Sequence, residues 1–250
     1  MTKQHFYLIR GLIREKGHWG NFHEYLKNDF PESLITALDI PGAGEYFKSS
    51  SPLTIGKMVE LMRQDYLKSR IPGEKSYLVS ISLGGMISVE WMKRYPHDFM
   101  NATLINTSMG GISPIHHRLR PQALVHLLKI PCLKGRQKEA SIIDLICNNK
   151  SFYDETLNLW DEIQKSRPVS LSNALRQLYA AATYLPGNFV PPIPVQLLAG
   201  TDDRMVNVNC SRSIAARWGV PLSEHPTAGH DLTVDDSPWV SSKIKEFIAP

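Results

Sequence analysis

Short apolar runs alternate along this chain with segments whose apolar residues recur every three or four positions. That exchange of periods predicts strands alternating with helices. The strand-like runs are "HFYLIRG" (5–11), "SLITAL" (33–38), "SYLVSI" (76–81), "NATLINTS" (101–108), "IPVQLLAG" (193–200) and a short one at "LSEH" (222–225). Helical spacing appears in "TIGKMVELMRQDYLKSR" (54–70), where Thr54 is a suitable N-cap. It recurs at Leu83, Met86, Ile87 and Trp91, ending before Pro96, which cannot continue a helix. "CSRSIAARWG" (210–219), closed by Gly219, and "PWVSSKIKEFIA" (238–249) complete the set. The expected fold is α/β, a mostly parallel sheet of about six strands covered on both faces by helices.

Residues 109–192 break the rhythm. "PQALVHLLKI", "EASIIDLICNN", "YDETLNLWDEIQKS" and "LSNALRQLYAAATYL" are helix-like and follow one another with no strand between them, up to the proline-rich "LPGNFVPPIP". The expected organisation is a core of residues 1–108 and 193–250, with 109–192 inserted as a helical cap over the strand ends.

Composition narrows the class. With 250 residues, 42% hydrophobic and 21% charged, the chain reads as a folded soluble domain rather than a disordered one. No apolar run approaches membrane-spanning length, and the start "MTKQHFYLIRG" enters a strand without a hydrophobic leader, so a cytoplasmic location is expected. Cys132, Cys147 and Cys210 are scattered without metal-ligand spacing and read as buried or unpaired thiols. A net charge of +4 without a basic, aromatic readout motif argues against a nucleic-acid partner.

Candidate chemistry concentrates in "YLVSISLGGMIS" (77–88), where a strand turns into a helix. A sharp strand-to-helix turn that presents a nucleophile needs small residues two before and two after it. Ser80-Ile81-Ser82-Leu83-Gly84 meets that need for Ser82, whereas centring on Ser80 would put Leu78 at a small-residue position. A serine hydroxyl at neutral pH needs a base within hydrogen-bond reach and a carboxylate to orient that base. His230, in the loop "TAGHD" before the last helix, is the favoured base because Ala228 and Gly229 free its ring to project; His225 is its main competitor. His18, His23, His116, His117 and His126 lie in loop or insertion, and His5 and His97 are expected at the surface. In "GTDDRMV" both Asp202 and Asp203 qualify as the acid, and no acid follows the strand at 101–108, where the chain reads Ile105-Asn106-Thr107-Ser108.

The order Ser, Asp, His resembles the α/β-hydrolase fold superfamily, in its capped esterase-like branch, over essentially the whole chain. "DIPGAG" (39–44), "SISLGGM", "GTDDRMV" and "AGH" are each similar to a family segment and occur in the family's order. The resemblance places the acid at Asp203, three residues before Val206, and the oxyanion donors at the backbone N–H groups of Leu12 and Leu83. One departure stands out: Arg10-Gly11 replaces the usual His-Gly after the first core strand, although Trp19 matches the aromatic that commonly follows. Pairing of Arg10 with an acid is expected ahead of a role in steering an anionic substrate.

The function implied is hydrolysis of a carboxylic ester or similar acyl compound through an acyl-enzyme on Ser82, with neither metal nor organic cofactor. Thioester cleavage, acyl transfer, C–C bond hydrolysis and low-turnover ligand binding on the same fold are the alternatives. Between Ile112 and Lys138 the cations Arg118, Arg120, Lys129, Lys134, Arg136 and Lys138 occur with no acidic residue. The run reads first as a solvated face and second as a surface for an acidic acyl carrier.

Overall fold

The computed structural model describes residues 3–249. Six strands, β1 (Gln4–Ile9), β2 (Leu34–Leu38), β3 (Lys75–Ile81), β4 (Asn101–Ile105), β5 (Val195–Gly200) and β6 (Leu222–His225), form one parallel sheet in the order β2-β1-β3-β4-β5-β6. The interior strands β3 and β5 are buried nearly end to end, as their continuous apolar runs require of strands covered on both faces. Before the insertion come α1 (Phe22–Asp29), α2 (Ile55–Ser69) and α3 (Leu83–Arg94). The insertion carries α4 (Ile115–Arg118), α5 (Pro121–Lys129), α6 (Arg136–Ile146), α7 (Tyr153–Ser166) and α8 (Leu171–Thr183). After β5 come α9 (Asn209–Trp218), α10 (Leu232–Asp235) and α11 (Ser237–Ile248).

The predicted end signals form. The Thr54 hydroxyl accepts from the Lys57 N–H at 3.3 Å, and Gly219 closes α9 in the left-handed region at φ 65°. The short α1 escapes sequence reading because only Phe22 and Leu26 on it are buried, too few to set a period. α2, α3 and α9 share one apolar layer with one face of the sheet, built on Tyr66, Trp91 and Phe99. The other face packs Phe6, Leu8, Val79 and Ile105 against Trp19, Phe22, Val240 and Ile244. A third cluster, around Ile142, Ile143, Leu157 and Trp160, lies inside the insertion. Its helices therefore carry a small core of their own.

Sheet order also places the site. The chain begins in β1, moves outward to β2, then crosses back past β1 to β3, so β1 and β3 flank a topological switch point. At such a point the loops leaving two adjacent strands diverge and open a crevice at their carboxyl ends. Ile9 lies opposite Ser80, and Ile81 opposite Ile105, so the loops leaving β1, β3 and β4 emerge side by side.

His5 departs from its expected surface position. It is 2% exposed in β1, with Nε2 2.8 Å from Thr36 Oγ1, and stacks on Tyr7. Its neighbours in the sheet cover it, and burial lowers its pKa despite the nearby Glu74. No described helix is long and apolar enough to cross a membrane. Cys147 and Cys210 are buried free thiols, and Cys132 is an exposed one.

Candidate active site

Ser82 stands between β3 and α3 with φ 57° and ψ −119°, a conformation that a residue bearing a Cβ rarely adopts. The surroundings hold it there. The Ser82 N–H donates to Ile105 O at 2.9 Å, and the Thr107 hydroxyl donates to Ser82 O at 2.8 Å. A Cβ on Gly84 would come within 2.4 Å of Ile9 O, so only glycine lets α3 leave the turn so close to β1.

The three residues singled out from the sequence converge. His230 Nε2 lies 2.9 Å from Ser82 Oγ, and His230 Nδ1 lies 2.7 Å from Asp203 Oδ2. Asp203 Oδ1 accepts from the Met205 and Val206 N–H groups at 2.7 and 2.9 Å, which fixes the carboxylate for the ring. Asp202 is exposed, and only its backbone carbonyl meets another element, at Asn148. His225, the competing base, turns instead toward Asp236 at 3.2 Å. Burial works against a charged His230, but the charge and hydrogen bond of Asp203 outweigh it, with Asp231 adding to them, so its pKa is raised. This relay can take a proton from the serine hydroxyl and hold the resulting imidazolium against a carboxylate.

Leu83 is the first residue of α3, so its N–H has no intrahelical acceptor. The loop after β1 faces it, because a Cβ on Gly11 would meet Ser82 Cβ at 3.0 Å. Among the described residues the Leu12 N–H has no backbone acceptor, and the next N–H, of Ile13, donates to Gln177 Oε1 of α8 at 2.9 Å. Ile13 has φ 54°, a costly region for a β-branched residue, and this bond to the fully buried Gln177 holds it.

Arg10 occupies the usual histidine position by pairing. Both terminal nitrogens reach the Asp231 carboxylate, with Nη1 at 3.1 Å from Oδ1 and 3.2 Å from Thr233 Oγ1, and all three residues are buried. Although burial alone would raise the Asp231 pKa, the Arg10 guanidinium holds it below the usual carboxylate range. Losing one partner of such a buried pair costs about 3–5 kcal/mol.

Several positioning residues carried no sequence signal. Asn106, at the position where no acid was found, takes φ 45° and donates to Gly229 O and His230 O at 3.0 and 2.8 Å. It also accepts from Gly200 N–H at 2.9 Å, so one side chain ties β4 to β5 and to the histidine loop. Asp235 accepts from Gly229 N–H at 2.6 Å and from the Asn148 and Asn149 N–H groups. Residues of α6 and its end hold the histidine and acid loops: Asp231 N–H donates to Ile146 O at 2.8 Å, and Arg204 donates to Cys147 O at 2.9 Å.

The hollow beside Ser82 and His230 is about 50 Å³, lined by Leu127, Ile142 and Ile146 of the insertion and by Arg14. A larger hollow of about 270 Å³, between α7 and the start of α11, touches neither Ser82 nor His230. The members of the basic run have different surroundings. Arg118 turns inward to Ala181 O at 2.6 Å and Arg136 bonds Asn158, while Lys129 and Lys134 stay exposed.

Comparison with known proteins matches this arrangement to a family. The chain aligns over 109 residues, at 28% identity, with methyl jasmonate esterase 1 of Vitis vinifera, a stretch covering 44% of this chain and 41% of that protein. The chain thus spans less than half the length of that curated relative. Its fold superposes on a lipase-esterase related protein from Clostridium acetobutylicum with TM-score 0.76 at 16% identity, over 99% of this chain and 95% of that one. The 2-hydroxy-6-oxo-6-phenylhexa-2,4-dienoate hydrolase of a Rhodococcus species superposes with TM-score 0.76 at 17% identity, over 99% and 91% of the two chains. The sequence profile of the alpha/beta hydrolase family matches residues 7–241. This chain therefore belongs to the alpha/beta hydrolase family.

Proposed function

We propose that the protein is a serine hydrolase that cleaves a carboxylic ester or a similar acyl compound. The observation that carries this reading is the relay from a half-buried Ser82 to the buried His230 and Asp203, with contacts of 2.9 and 2.7 Å, beside the backbone N–H groups of Leu12 and Leu83, which have no backbone acceptor among the described residues. Ser82 Oγ attacks the carbonyl carbon as its proton passes to His230 Nε2. The negative oxygen of the tetrahedral intermediate accepts from the Leu12 and Leu83 N–H groups, each worth about 3 kcal/mol by comparison with mutated oxyanion holes. His230 then protonates the departing alkoxide, leaving an acyl-Ser82. A water attacks that ester, its proton goes to His230, and the acid leaves as Ser82 regains its hydrogen. Asp203 stays ionised and holds the ring in the tautomer whose Nε2 can accept.

Residues 109–192 act in this reading as a cap. Leu127, Ile142 and Ile146 close the space above Ser82, which keeps bulk water from the oxyanion and gives the acyl group an apolar wall. The test is covalent labelling with a fluorophosphonate, together with turnover of a short p-nitrophenyl ester. Ser82 is expected to be the labelled residue, and Ser82→Ala to abolish both labelling and turnover. Labelling elsewhere, or turnover that survives Ser82→Ala, would refute the mechanism.

A further inference from the structure

Two sets of hydrogen bonds hold the two halves of the site, and they end on different neighbours. In the histidine loop, Asn106 donates to Gly229 O and His230 O, Asp235 accepts from Gly229 N–H, and Ile146 O accepts from Asp231 N–H. The loop after β1, which carries Leu12, is held through Ile13 N–H on Gln177 and Arg14 on Glu139, both in the insertion. None of these bonds joins one loop to the other. Among the described residues, the hydrogen bonds that run from segment 10–14 to segment 229–233 are all made by Arg10.

Arg10 makes that link with little freedom. It follows β1 directly, is buried, and holds its guanidinium carbon 5.0 Å from the centre of the Trp19 ring. Its Nη1 donates to Asp231 Oδ1 at 3.1 Å and to Thr233 Oγ1 at 3.2 Å, and its Nη2 donates to Asp231 Oδ2. The Thr233 hydroxyl donates to the same Asp231 Oδ1 at 2.9 Å. Two bonds between a planar guanidinium and a carboxylate fix orientation as well as distance. Asp231 follows His230, and Arg10 stands two residues before Leu12, so the link joins the base to the first oxyanion donor through short stretches of backbone.

Stability does not account for this pair, because apolar residues of similar volume commonly replace a buried ion pair with no loss. Geometry accounts for it. The oxyanion donor and the base act on the same tetrahedral carbon, and a misplacement of about 1 Å costs about 100-fold in rate. Resting on the hydrolase reading above, we propose that Arg10 is a positioning residue, whose bonds to Asp231 and Thr233 fix the separation of the Leu12 N–H from His230 during turnover.

The test uses a short p-nitrophenyl ester with the wild type and two variants. The double variant Arg10→Met, Asp231→Leu strands neither charge, and Arg10→Lys keeps a cation without the two-pronged bond. Thermal unfolding of the double variant is expected to stay cooperative near the wild-type midpoint. Its kcat is expected to fall about 10- to 100-fold with KM within about twofold, because acylation and deacylation both use donor and base together. Arg10→Lys is expected to lie between the two, a partial rescue that packing alone would not give. A folded double variant with wild-type kcat, or a raised KM at unchanged kcat, would overturn the assignment. If the double variant does not fold, Arg10→Lys decides alone, and wild-type kcat in that folded variant would overturn it too. A wild-type protein without turnover, and with Ser82 unlabelled by fluorophosphonate, would instead bring down the hydrolase reading.

Discussion

α2 and α8 have similar lengths and both have helical apolar spacing, yet they present opposite faces to the protein. α2 buries Ile55, Met58, Val59, Met62 and Tyr66, the face its apolar period predicts. α8 buries Asn173, Gln177 and Ala180, and turns Leu171, Leu175 and Tyr179 outward at 60%, 57% and 55% exposure. Its inward polar groups have specific work. The Asn173 amide donates to Gly42 O and Ser49 O and accepts from Ser51 N–H, and Gln177 accepts from Ile13 N–H. The first helix is held by apolar area and supports the sheet. The second is held by directed hydrogen bonds and supports two loops, one of which carries Leu12. Twelve of the eighteen exposed large apolar side chains among the described residues lie between Ile115 and Val190, so outward apolar faces are a property of the insertion.

If the core supplies the chemistry and the insertion only arranges it, the largest losses belong to core residues. Asp203→Asn is expected to lower kcat by about 10⁴-fold, the scale for an orienting acid whose amide selects the wrong histidine tautomer. Asp202→Asn is expected to stay near wild type, since that carboxylate is exposed and bonds nothing in the site. Steady-state kinetics on one ester decide it, and equal mild losses in the two variants would place the acid elsewhere.

A pair of exchanged substitutions tests the contrast between the helices directly. Met58→Gln in α2 buries an amide without a partner and removes apolar packing, at a cost of about 2–5 kcal/mol in stability by denaturant unfolding. Gln177→Met in α8 conserves volume but leaves the Ile13 N–H without its acceptor, at a cost of about 1–3 kcal/mol. Yet kcat is expected to fall about 10- to 100-fold, because Ile13 at φ 54° loses the acceptor that holds its loop, and Leu12 with it. KM should move little. If Gln177→Met destabilises the protein as much as Met58→Gln while kcat is unchanged, α8 is ordinary packing.

These two helices also mark where sequence reading ends. The core strands and the three relay residues are legible because each lies at the end of a strand whose local pattern predicts it, and the parallel order brings those ends together. Ser82 is further marked by the small residues its turn needs, and the Arg10 pairing follows from the cost of an unpaired buried charge. The inward face of α8 is not legible, because periodicity assigns the apolar side to the core. Gln177 meets Ile13 across 164 residues, and Arg14 meets Glu139 across 125, and no local pattern encodes such meetings. Asn106 and Asp235 escape for a related reason: their partners are backbone groups of the histidine loop, which have no sequence signature. His5 is misread because a polar residue near the start of a strand normally sits at the surface, whereas the partners of this one lie on β2 and beside β3.

A smaller effect separates the relay from the rest of the buried histidines by pH. With its pKa raised above the ordinary 6.5, His230 is expected to bring kcat/KM up with pH through a midpoint above that value. His18, whose pKa is pushed well down, stays neutral over the same window and contributes no step. Stability moves the other way. The favourable contact of protonated His230 with Asp203 is fully present below about pH 6.5 and is lost as pH rises through the raised folded-state value. Activity and unfolding free energy should therefore cross in slope between those two pH values, and His230→Asn should remove the stability change. A midpoint below 6.5 would show that burial, not Asp203, sets the ring.

The smallest effect is expected at Ser80, in β3 two residues before Ser82. Ser80 is fully buried in β3, and its hydroxyl has no hydrogen-bond partner among the described residues. A buried hydroxyl without a partner contributes nothing that alanine would lose and carries a desolvation cost that alanine removes. What the position requires is small size, since Ser80 lies between Ile9 and Leu104 in register, where the strands approach the turn. Ser80→Ala is expected to leave kcat/KM within about twofold and to keep or raise stability by up to about 1 kcal/mol. Ser80→Leu, which overfills the same place, is expected to cost about 1–3 kcal/mol and to lower activity by displacing the turn. Thermal unfolding and ester kinetics on both variants separate size from chemistry. If folded Ser80→Ala is as inactive as Ser82→Ala, the hydroxyl at 80 takes part in the reaction, and the register that centres the turn on Ser82 is wrong.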